Sequence, residues 1–229
     1  MIPFVNDIAD FFLPRICPSC GNKLQPSEKI VCRKCFSLIT IANKKYIDDE
    51  FFRKFSDGNV ISGLTSLMMF EKDSPSQHIL HSIKYDGLFS LGRSAGRMLG
   101  KLKKEVISRW EADLIIPVPL HKLKKAERGY NQSYYIAKGL SEELNIPVKN
   151  NILKRIKYTE SQTKMNISER MENMDSAFSL KRRDNVQGRR VILVDDVVTT
   201  GATLISCGHV LALGGTSKVY AVTLAIALS

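Results

Sequence analysis

The thirteen residues from Val191 to Thr203 constrain the fold of this chain more than any other segment. Four apolar residues at the start of this run predict a buried strand that ends at Asp195. The chain then turns through Thr-Thr-Gly-Ala-Thr into apolar residues at helical spacing, namely Leu204, Ile205, Val210 and Leu211. The pattern therefore predicts a strand, a tight loop and a helix, with the adjacent carboxylates of Asp195 and Asp196 where the strand ends.

The predicted loop and helix start are suited to bind an anion. The first amides of a helix lack internal partners, the helix dipole favours negative charge there, and Gly201 lets the backbone approach a phosphate closely. Carboxylates do not bind phosphate, so we expect Asp195 and Asp196 to contact sugar hydroxyls or a Mg²⁺ ion beside it. The combination predicts a pocket for a ribose 5-phosphate, with the phosphate on residues 199–203. An ordinary Asp/Thr/Gly turn is the alternative, although two adjacent acids after a buried strand are costly without partners.

Four of the five cysteines form two pairs, Cys17/Cys20 and Cys32/Cys35, with eleven residues between the pairs. Each pair places two thiolates on one tight turn, and two such turns together make a tetrahedral cage suited to structural Zn²⁺. Two disulfides or a redox-active pair are the alternatives, and a reducing compartment disfavours the first. The fifth, Cys207, falls inside the predicted helix after the loop and is expected to pack in the core.

Composition sets limits on location and partners. In 229 residues with 44% hydrophobic content, no stretch approaches the roughly twenty apolar residues that span a bilayer. The N-terminus lacks early basic residues, and its apolar positions predict a short amphipathic helix instead of a secretory signal: Phe4, Ile8, Phe11 and Phe12. We therefore expect a cytoplasmic protein without membrane insertion.

The net charge of +11 is concentrated in the middle of the chain. Residues 61–160 carry 17 basic and 10 acidic groups, a net charge of +7, whereas the segments before and after each carry +2. An excess of this kind indicates a phosphate-rich ligand or a polyanion such as nucleic acid, or a basic surface that is only solvated.

Strands and helices alternate along the rest of the chain, which predicts an α/β fold with a mostly parallel sheet flanked by helices. Residues 40–60 are expected to be irregular, and residues 157–176 to be a flap without a core face. We predict strands over 64–70, 114–119, 152–155 and 219–227, and helices over 75–87, 88–102 and 134–144.

A second strand–loop–helix unit carries a concentration of cations. The loop that follows Leu114–Pro119 holds Lys122, Lys124, Lys125 and Arg128 beside His121. At the carboxyl end of a strand, next to the predicted phosphate loop, such cations are placed to bind a diphosphate or a polyphosphate. We take Lys124 and Arg128 as candidate ligand-binding residues, with a solvated basic turn as the alternative.

The run from Val191 to Thr203 resembles, at all thirteen positions, the phosphoribosyl-diphosphate (PRPP) signature of type I phosphoribosyltransferases. The chain as a whole resembles the ComF family, which is linked to bacterial competence and DNA uptake. That resemblance rests on the four paired cysteines, Lys84-Tyr85, Pro117-Val118-Pro119-Leu120, Arg128-Gly129-Tyr130-Asn131-Gln132, and Arg155, Thr159, Gln162, Arg170, Asn173 and Phe178.

The resemblance implies a type I phosphoribosyltransferase fold with an N-terminal zinc ribbon. We expect an N-terminal helix and ribbon over 1–45, a connector over 46–62 and a phosphoribosyltransferase-like domain over 63–229. In that superfamily the two acids hold the ribose hydroxyls and the loop wraps the 5-phosphate. The implied binding residues are Asp195, Asp196, Val197, Val198, Thr199, Thr200, Gly201, Ala202 and Thr203, with PRPP bound together with Mg²⁺.

Three functions remain open at this stage. The first is a competence factor that handles single-stranded DNA, where bases stack on tyrosines such as Tyr130, Tyr134 and Tyr135. The second is a phosphoribosyltransferase that uses Asp195 and Asp196 in transfer from PRPP to a nitrogenous acceptor. The third is a protein whose contacts with competence or recombination proteins respond to PRPP.

Overall fold

The computed structural model describes residues 14–56, 60–157, 177–181 and 186–227. The predicted N-terminal amphipathic helix and all but the first residue of the predicted flap lie outside this part of the chain. The helices are α1 (Arg33–Phe36), α2 (Lys44–Phe55), α3 (Pro75–Tyr85), α4 (Phe89–Ser108), α5 (Lys122–Arg128), α6 (Gln132–Leu144) and α7 (Ala202–Leu213). The strands are β1 (Gly63–Phe70), β2 (Leu114–Pro117), β3 (Leu153–Arg155), β4 (Phe178–Leu180), β5 (Arg190–Val198) and β6 (Lys218–Ala227).

Four parallel strands in the order β1-β6-β5-β2 form the main sheet, which confirms the predicted α/β class. The central strand β5 is apolar on both faces because helices cover both. Ile192 and Val194 pack toward α4 and α6, whereas Val191 and Leu193 share a core with residues of α2 and α7. A parallel sheet covered in this way brings its carboxyl ends, and the loops that follow them, to one edge.

The strand β5 does not end at Asp195, as the sequence predicts. It continues to Val198 because β6 remains paired with it, with Asp195 opposite Thr223 and Val198 opposite Ile226. On its other side β2 stops at Pro117, opposite Val194. The acidic doublet therefore lies on a strand that is supported on one side only, and its two side chains point to opposite faces of the sheet.

Residues 40–60 are not irregular, since most of them form α2. The side chain of Asn43 accepts a hydrogen bond from the Tyr46 amide at 2.9 Å and caps the helix. The four-residue spacing of Ile47, Phe51 and Phe55 gives α2 its apolar stripe. The polar composition of the segment obscures this stripe in the sequence, partly because the buried pair Glu50–Lys54 contributes charges to a buried face.

One further element differs from the expected arrangement. The short strand β3 pairs antiparallel with β4 in a separate two-stranded sheet, instead of joining the parallel sheet.

Helices α4 and α6 pack almost backbone to backbone. The closeness is evident at Gly139, where an added Cβ would lie only 1.9 Å from the Arg93 carbonyl oxygen. This close approach holds the middle of α6 against the first half of α4.

The cysteine-bearing segment packs on the main sheet through the chain that follows it. Ala42 and Met69 make backbone hydrogen bonds of 3.1 Å and 2.9 Å across the edge of β1, to Leu67 and Thr40 respectively. The Ser19 hydroxyl lies 3.1 Å from Nδ1 of His78 on α3. In the described part of the chain, no helix combines the length and the apolar character needed to cross a bilayer.

Candidate functional site

A pocket opens at the carboxyl end of β5. It is lined by Asp195 and by the consecutive residues Val197, Val198, Thr199, Thr200, Gly201, Ala202, Thr203 and Leu204. These are the residues that the sequence predicts for the phosphate loop and its acidic neighbour, with Leu204 added and Asp196 missing. The structure thus brings the backbone of the loop and one of the two carboxylates around a common space.

The loop turns into α7 through Gly201, whose φ is +81°. Few residues other than glycine adopt this left-handed conformation, and α7 begins without a side-chain cap. The outer side of the turn is closed by α2, since a Cβ on Gly201 would lie 3.0 Å from the Phe55 ring and 3.4 Å from Cβ of Lys54. The start of α7, whose first amides lack helical partners, therefore lines the pocket, and the turn before it packs against α2.

Asp195 is held at the pocket wall by two donors. Its Oδ1 accepts hydrogen bonds from the Ser133 hydroxyl and from the Asp196 amide, both at 2.9 Å. Ser133 reaches it from the first turn of α6, across the place where β2 has ended. Burial, and then the neighbouring charge of Asp196, raise the pKa of the Asp195 carboxyl to about 7, although these donors and Lys84 act in the opposite direction.

Asp196 points away from this pocket and is 4% exposed. Its Oδ2 lies 2.8 Å from Nζ of Lys84 at the end of α3, and 3.5 Å from Nε2 of Gln132. A buried carboxylate without a partner would be strongly unfavourable, and the ammonium of Lys84 supplies that partner. The two acids therefore have different surroundings, one at the loop pocket and one in an ion pair with Lys84.

The predicted basic loop is a short helix, α5, and it contributes to a larger group of cations. Burial lowers the pKa of Lys124, and the positive charges of Arg155, Arg128 and Lys84 lower it further. The Arg128 guanidinium also donates to Oε1 of Gln132 at 2.6 Å. Lys124 is thus within electrostatic range of three other cations, and one of them, Lys84, forms the ion pair with Asp196.

Lys84 and Arg155 were not among the candidate site residues, although both belong to the segments that carry the family resemblance. Each stands at the end of an element, Lys84 in the last turn of α3 and Arg155 at the end of β3. Their place in the segments that carry the family resemblance is the sequence signal that could have identified them. Only the tertiary structure shows that these ends meet Lys124 and Arg128.

The sulfur atoms of Cys17, Cys20, Cys32 and Cys35 all lie within 4.8 Å of one another. The 3.6 Å between Sγ of Cys20 and Sγ of Cys32 is far longer than a disulfide bond of about 2.05 Å. It is close to the roughly 3.8 Å expected between two sulfurs that bind one tetrahedral metal at about 2.3 Å. The four thiols can thus hold a metal ion, and Gly21, whose φ is +74°, follows the first pair in the left-handed conformation.

Comparisons with known proteins agree with the features of this site. A phosphoribosyl transferase domain model matches residues 131–228, which include the loop and both acids. The chain is similar to competence protein F of Haemophilus influenzae, with 37% identity over 57% of the chain and 58% of that protein. It is also similar to the DNA utilization protein YhgH of Escherichia coli strain K12, with 29% identity over 63% of the chain and 64% of that protein.

A third relative extends over more of the sequence. Competence protein ComFC of Bacillus subtilis is 28% identical over 82% of this chain and 68% of its own length. The similarity to the Haemophilus protein, in contrast, spans somewhat less than three fifths of that relative's length.

The raised pKa of Asp195 predicts a pH dependence of stability. The unfolded chain releases this proton near pH 3.8, whereas the native carboxyl keeps it up to about pH 7. Within that window the native state binds more protons than the unfolded state, so the contribution of Asp195 to the free energy of unfolding falls as the pH rises.

We expect Asp195→Asn to have a higher free energy of unfolding than the wild type at about pH 8, and a smaller increase at about pH 5, measured by urea unfolding. The exposed Asp48→Asn variant is the control; equal gains for Asp195→Asn at both pH values would show that its carboxyl is not desolvated.

Proposed function

We propose that this chain, which belongs to the ComF family of type I phosphoribosyltransferase-like proteins, is a competence-associated protein that handles single-stranded DNA. On this proposal its phosphoribosyltransferase scaffold binds PRPP or a related phosphoribosyl ligand. The observation that carries the ligand assignment is the pocket that the phosphate loop forms with Asp195, next to the ion pair between Asp196 and Lys84. That arrangement offers amides for a phosphate, a carboxylate for a sugar, and positive charge for a second group of phosphates.

In the proposed complex the 5-phosphate binds the amides of residues 199–203, where the helix dipole of α7 favours negative charge. Asp195 binds the ribose hydroxyls or a Mg²⁺ ion, since a carboxylate oxygen at a pocket wall suits either partner. Mg²⁺ would neutralise part of the charge of the diphosphate. Lys84, Lys124, Arg128 and Arg155 supply the remaining positive charge, and Asp196 takes part through its ion pair with Lys84.

The role in DNA handling rests on the relatives and on charge. The names of all three relatives described above refer to competence or to DNA utilization, and we transfer that role to this chain as a proposal. The net charge of +7 in residues 61–160 suits a polyanion. We further propose a cytoplasmic location, without membrane insertion, and competence or recombination proteins as partners.

We assign structural Zn²⁺ to the four cysteines. Soft thiolate ligands in a tetrahedral set favour Zn²⁺, and the segment between the two pairs has few apolar side chains of its own. Leu24, Ile30 and Val31 are buried there, which is a small core for a unit of this size. The metal would join the two cysteine turns and so stabilise the ribbon on β1 and α3.

The ligand assignment predicts a thermal shift. PRPP with Mg²⁺ should raise the melting temperature of the wild type, because a ligand that binds only the native state stabilises it by mass action. The double variant Asp195→Asn, Asp196→Asn should lose this shift. The Asp48→Asn variant changes an exposed carboxylate on α2 and should keep it. A shift that persists unchanged in the double variant would contradict the assignment of the two acids.

The DNA-handling role predicts salt-sensitive binding. Single-stranded oligonucleotides should bind at low salt, and the logarithm of the affinity should fall linearly with the logarithm of the salt concentration because bound cations are released. A charge-reversing pair of substitutions on α5, Lys122→Glu and Lys125→Glu, should weaken binding and reduce the slope. Fluorescence anisotropy with a labelled oligonucleotide measures both quantities. If the wild type does not bind at low salt, the DNA-handling role is wrong.

The alternative function is transfer of ribose 5-phosphate from PRPP to a nitrogenous acceptor. The cations that act on Lys124, among them Lys84 next to Asp196, favour it, because they can stabilise a departing diphosphate. Diphosphate release from PRPP, measured with a panel of bases and with single-stranded DNA, separates the two functions. Release that depends on one base would support the transferase, whereas DNA binding without release would support the handling protein.

A further inference from the structure

The turn between α3 and α4 exposes apolar rings to solvent. Tyr85, the last residue of α3, is 62% exposed, and Phe89, the first residue of α4, is 49% exposed. Leu88 between them is also exposed. Single exposed apolar residues are common on protein surfaces, but a contiguous group of large ones marks a binding surface. We call Tyr85 and Phe89, with the rings that support them, the aromatic corner.

Half-buried tyrosines hold Phe89 in place. Its ring centroid lies 4.9 Å from that of Tyr135 and 6.1 Å from that of Tyr130, and the two tyrosine rings meet edge to face at 5.7 Å. The Tyr130 hydroxyl donates a hydrogen bond to the carbonyl oxygen of Ile83, which ties this cluster to the last turn of α3. Tyr130 and Tyr135, proposed from the sequence as stacking residues, therefore support the exposed ring of Phe89.

Tyr85 lies next to residues of the proposed PRPP site, which we call the sugar-phosphate site and which comprises the phosphate loop, the two acids and the cations assigned to the ligand. The Arg128 guanidinium carbon lies 5.1 Å from the centroid of its ring, and Arg128 also donates to Gln132. The residue directly before Tyr85 is Lys84, whose ammonium lies 2.8 Å from Asp196. Tyr85 therefore lies directly beside two cations, Arg128 and Lys84, and the aromatic corner is continuous with the surface that carries them.

The charge around the aromatic corner favours a polyanion as its occupant. Helix α5 presents Lys122 and Lys125 to solvent, with Lys124 and Arg128 half-buried beside them. The acidic groups nearest in sequence are Glu127 on α5 and Asp86 at the end of α3, so the four cations outnumber them. A neutral or basic protein surface would gain nothing from this charge, whereas a single strand combines a charged backbone with exposed base faces.

We propose that the aromatic corner binds unpaired nucleobases of a single strand, with one base stacked on Tyr85 and another on Phe89. The strand's phosphates would lie along Lys122, Lys125 and Arg128. Bases in a duplex have their faces covered by their neighbours, so the aromatic corner selects single strands. This inference rests on the proposed DNA-handling function and adds to it the place where the bases bind.

The test compares an ordinary single-stranded oligonucleotide with an abasic one of the same length and charge. We expect Tyr85→Ala and Phe89→Ala in the full-length protein each to weaken binding of the ordinary strand by roughly 5- to 150-fold, because each removes the ring on which one base stacks. The abasic strand should bind the wild type and both variants equally, and the salt dependence should not change. Tyr85→Trp should retain the affinity, which separates an effect on stacking from an effect on folding. Phe52→Ala removes a ring that is 74% exposed on α2, away from the aromatic corner, and is the matched control.

The outcomes distinguish failure of this inference from failure of the proposed function. If the wild type binds single strands and both alanine variants bind equally well, DNA handling stands, the aromatic corner is not the base-binding site, and a protein partner is the better occupant. If the variants weaken the ordinary and the abasic strand to the same extent, the rings act through folding or charge, and the inference is overturned. If the wild type binds no single strand at all, both proposals fail together.

Discussion

The continued pairing of β5 with β6, past the point where β2 stops, is the constraint on which the site depends. A strand that ended at Asp195 would leave both acids on a free loop. The extra residues instead keep the doublet in extended backbone, where successive side chains alternate between faces. The same pairing carries Val197 and Val198 to the edge of the sheet and starts the phosphate loop there. Because β2 ends before this point, the first turn of α6 lies beside this part of β5. Its Ser133 and Gln132 side chains contact the two acids.

Alternation gives the two carboxylates different electrostatic surroundings. Asp196 is buried and compensated by Lys84, and the Gln132 side chain beside it is in turn hydrogen-bonded to Arg128. Asp195 accepts hydrogen bonds from neutral donors, and burial, together with the charge of Asp196, raises the pKa of its carboxyl. Asp196, in its ion pair, and Asp195, which has no cation in direct contact, are adjacent and interact electrostatically. A cation or a phosphate that binds near one of them therefore changes the protonation of both carboxyls. Lys84 is the residue through which the sugar-phosphate site and the aromatic corner are connected.

The phosphate loop is also connected to the N-terminal part of the chain. Gly201 packs against Phe55 and Lys54 of α2, and α2 follows directly from the residues that pair along the edge of β1 after the cysteine turns. The segment expected to be a simple connector is thus part of the wall behind the loop. Its buried pair of Glu50 and Lys54 lies on the same helix, so disruption of α2 would reach the loop through direct packing contacts.

Local patterns in the sequence were enough for the elements and for the chemistry of individual residues. The apolar runs and their spacing predicted most of the strands and helices and the α/β class, and the Cys17/Cys20 and Cys32/Cys35 spacing predicted a thiol cluster that the structure brings together. Strand length, the divergence of Asp195 from Asp196, the partner of β3, and the meeting of Lys84 and Arg155 with Lys124 and Arg128 were decided only by the tertiary structure. The physical reason is that each of these features depends on contacts with a segment that is distant in the sequence. Pairing with β6 extends β5, and Lys84 neutralises Asp196, but the residues around β5 do not indicate either contact.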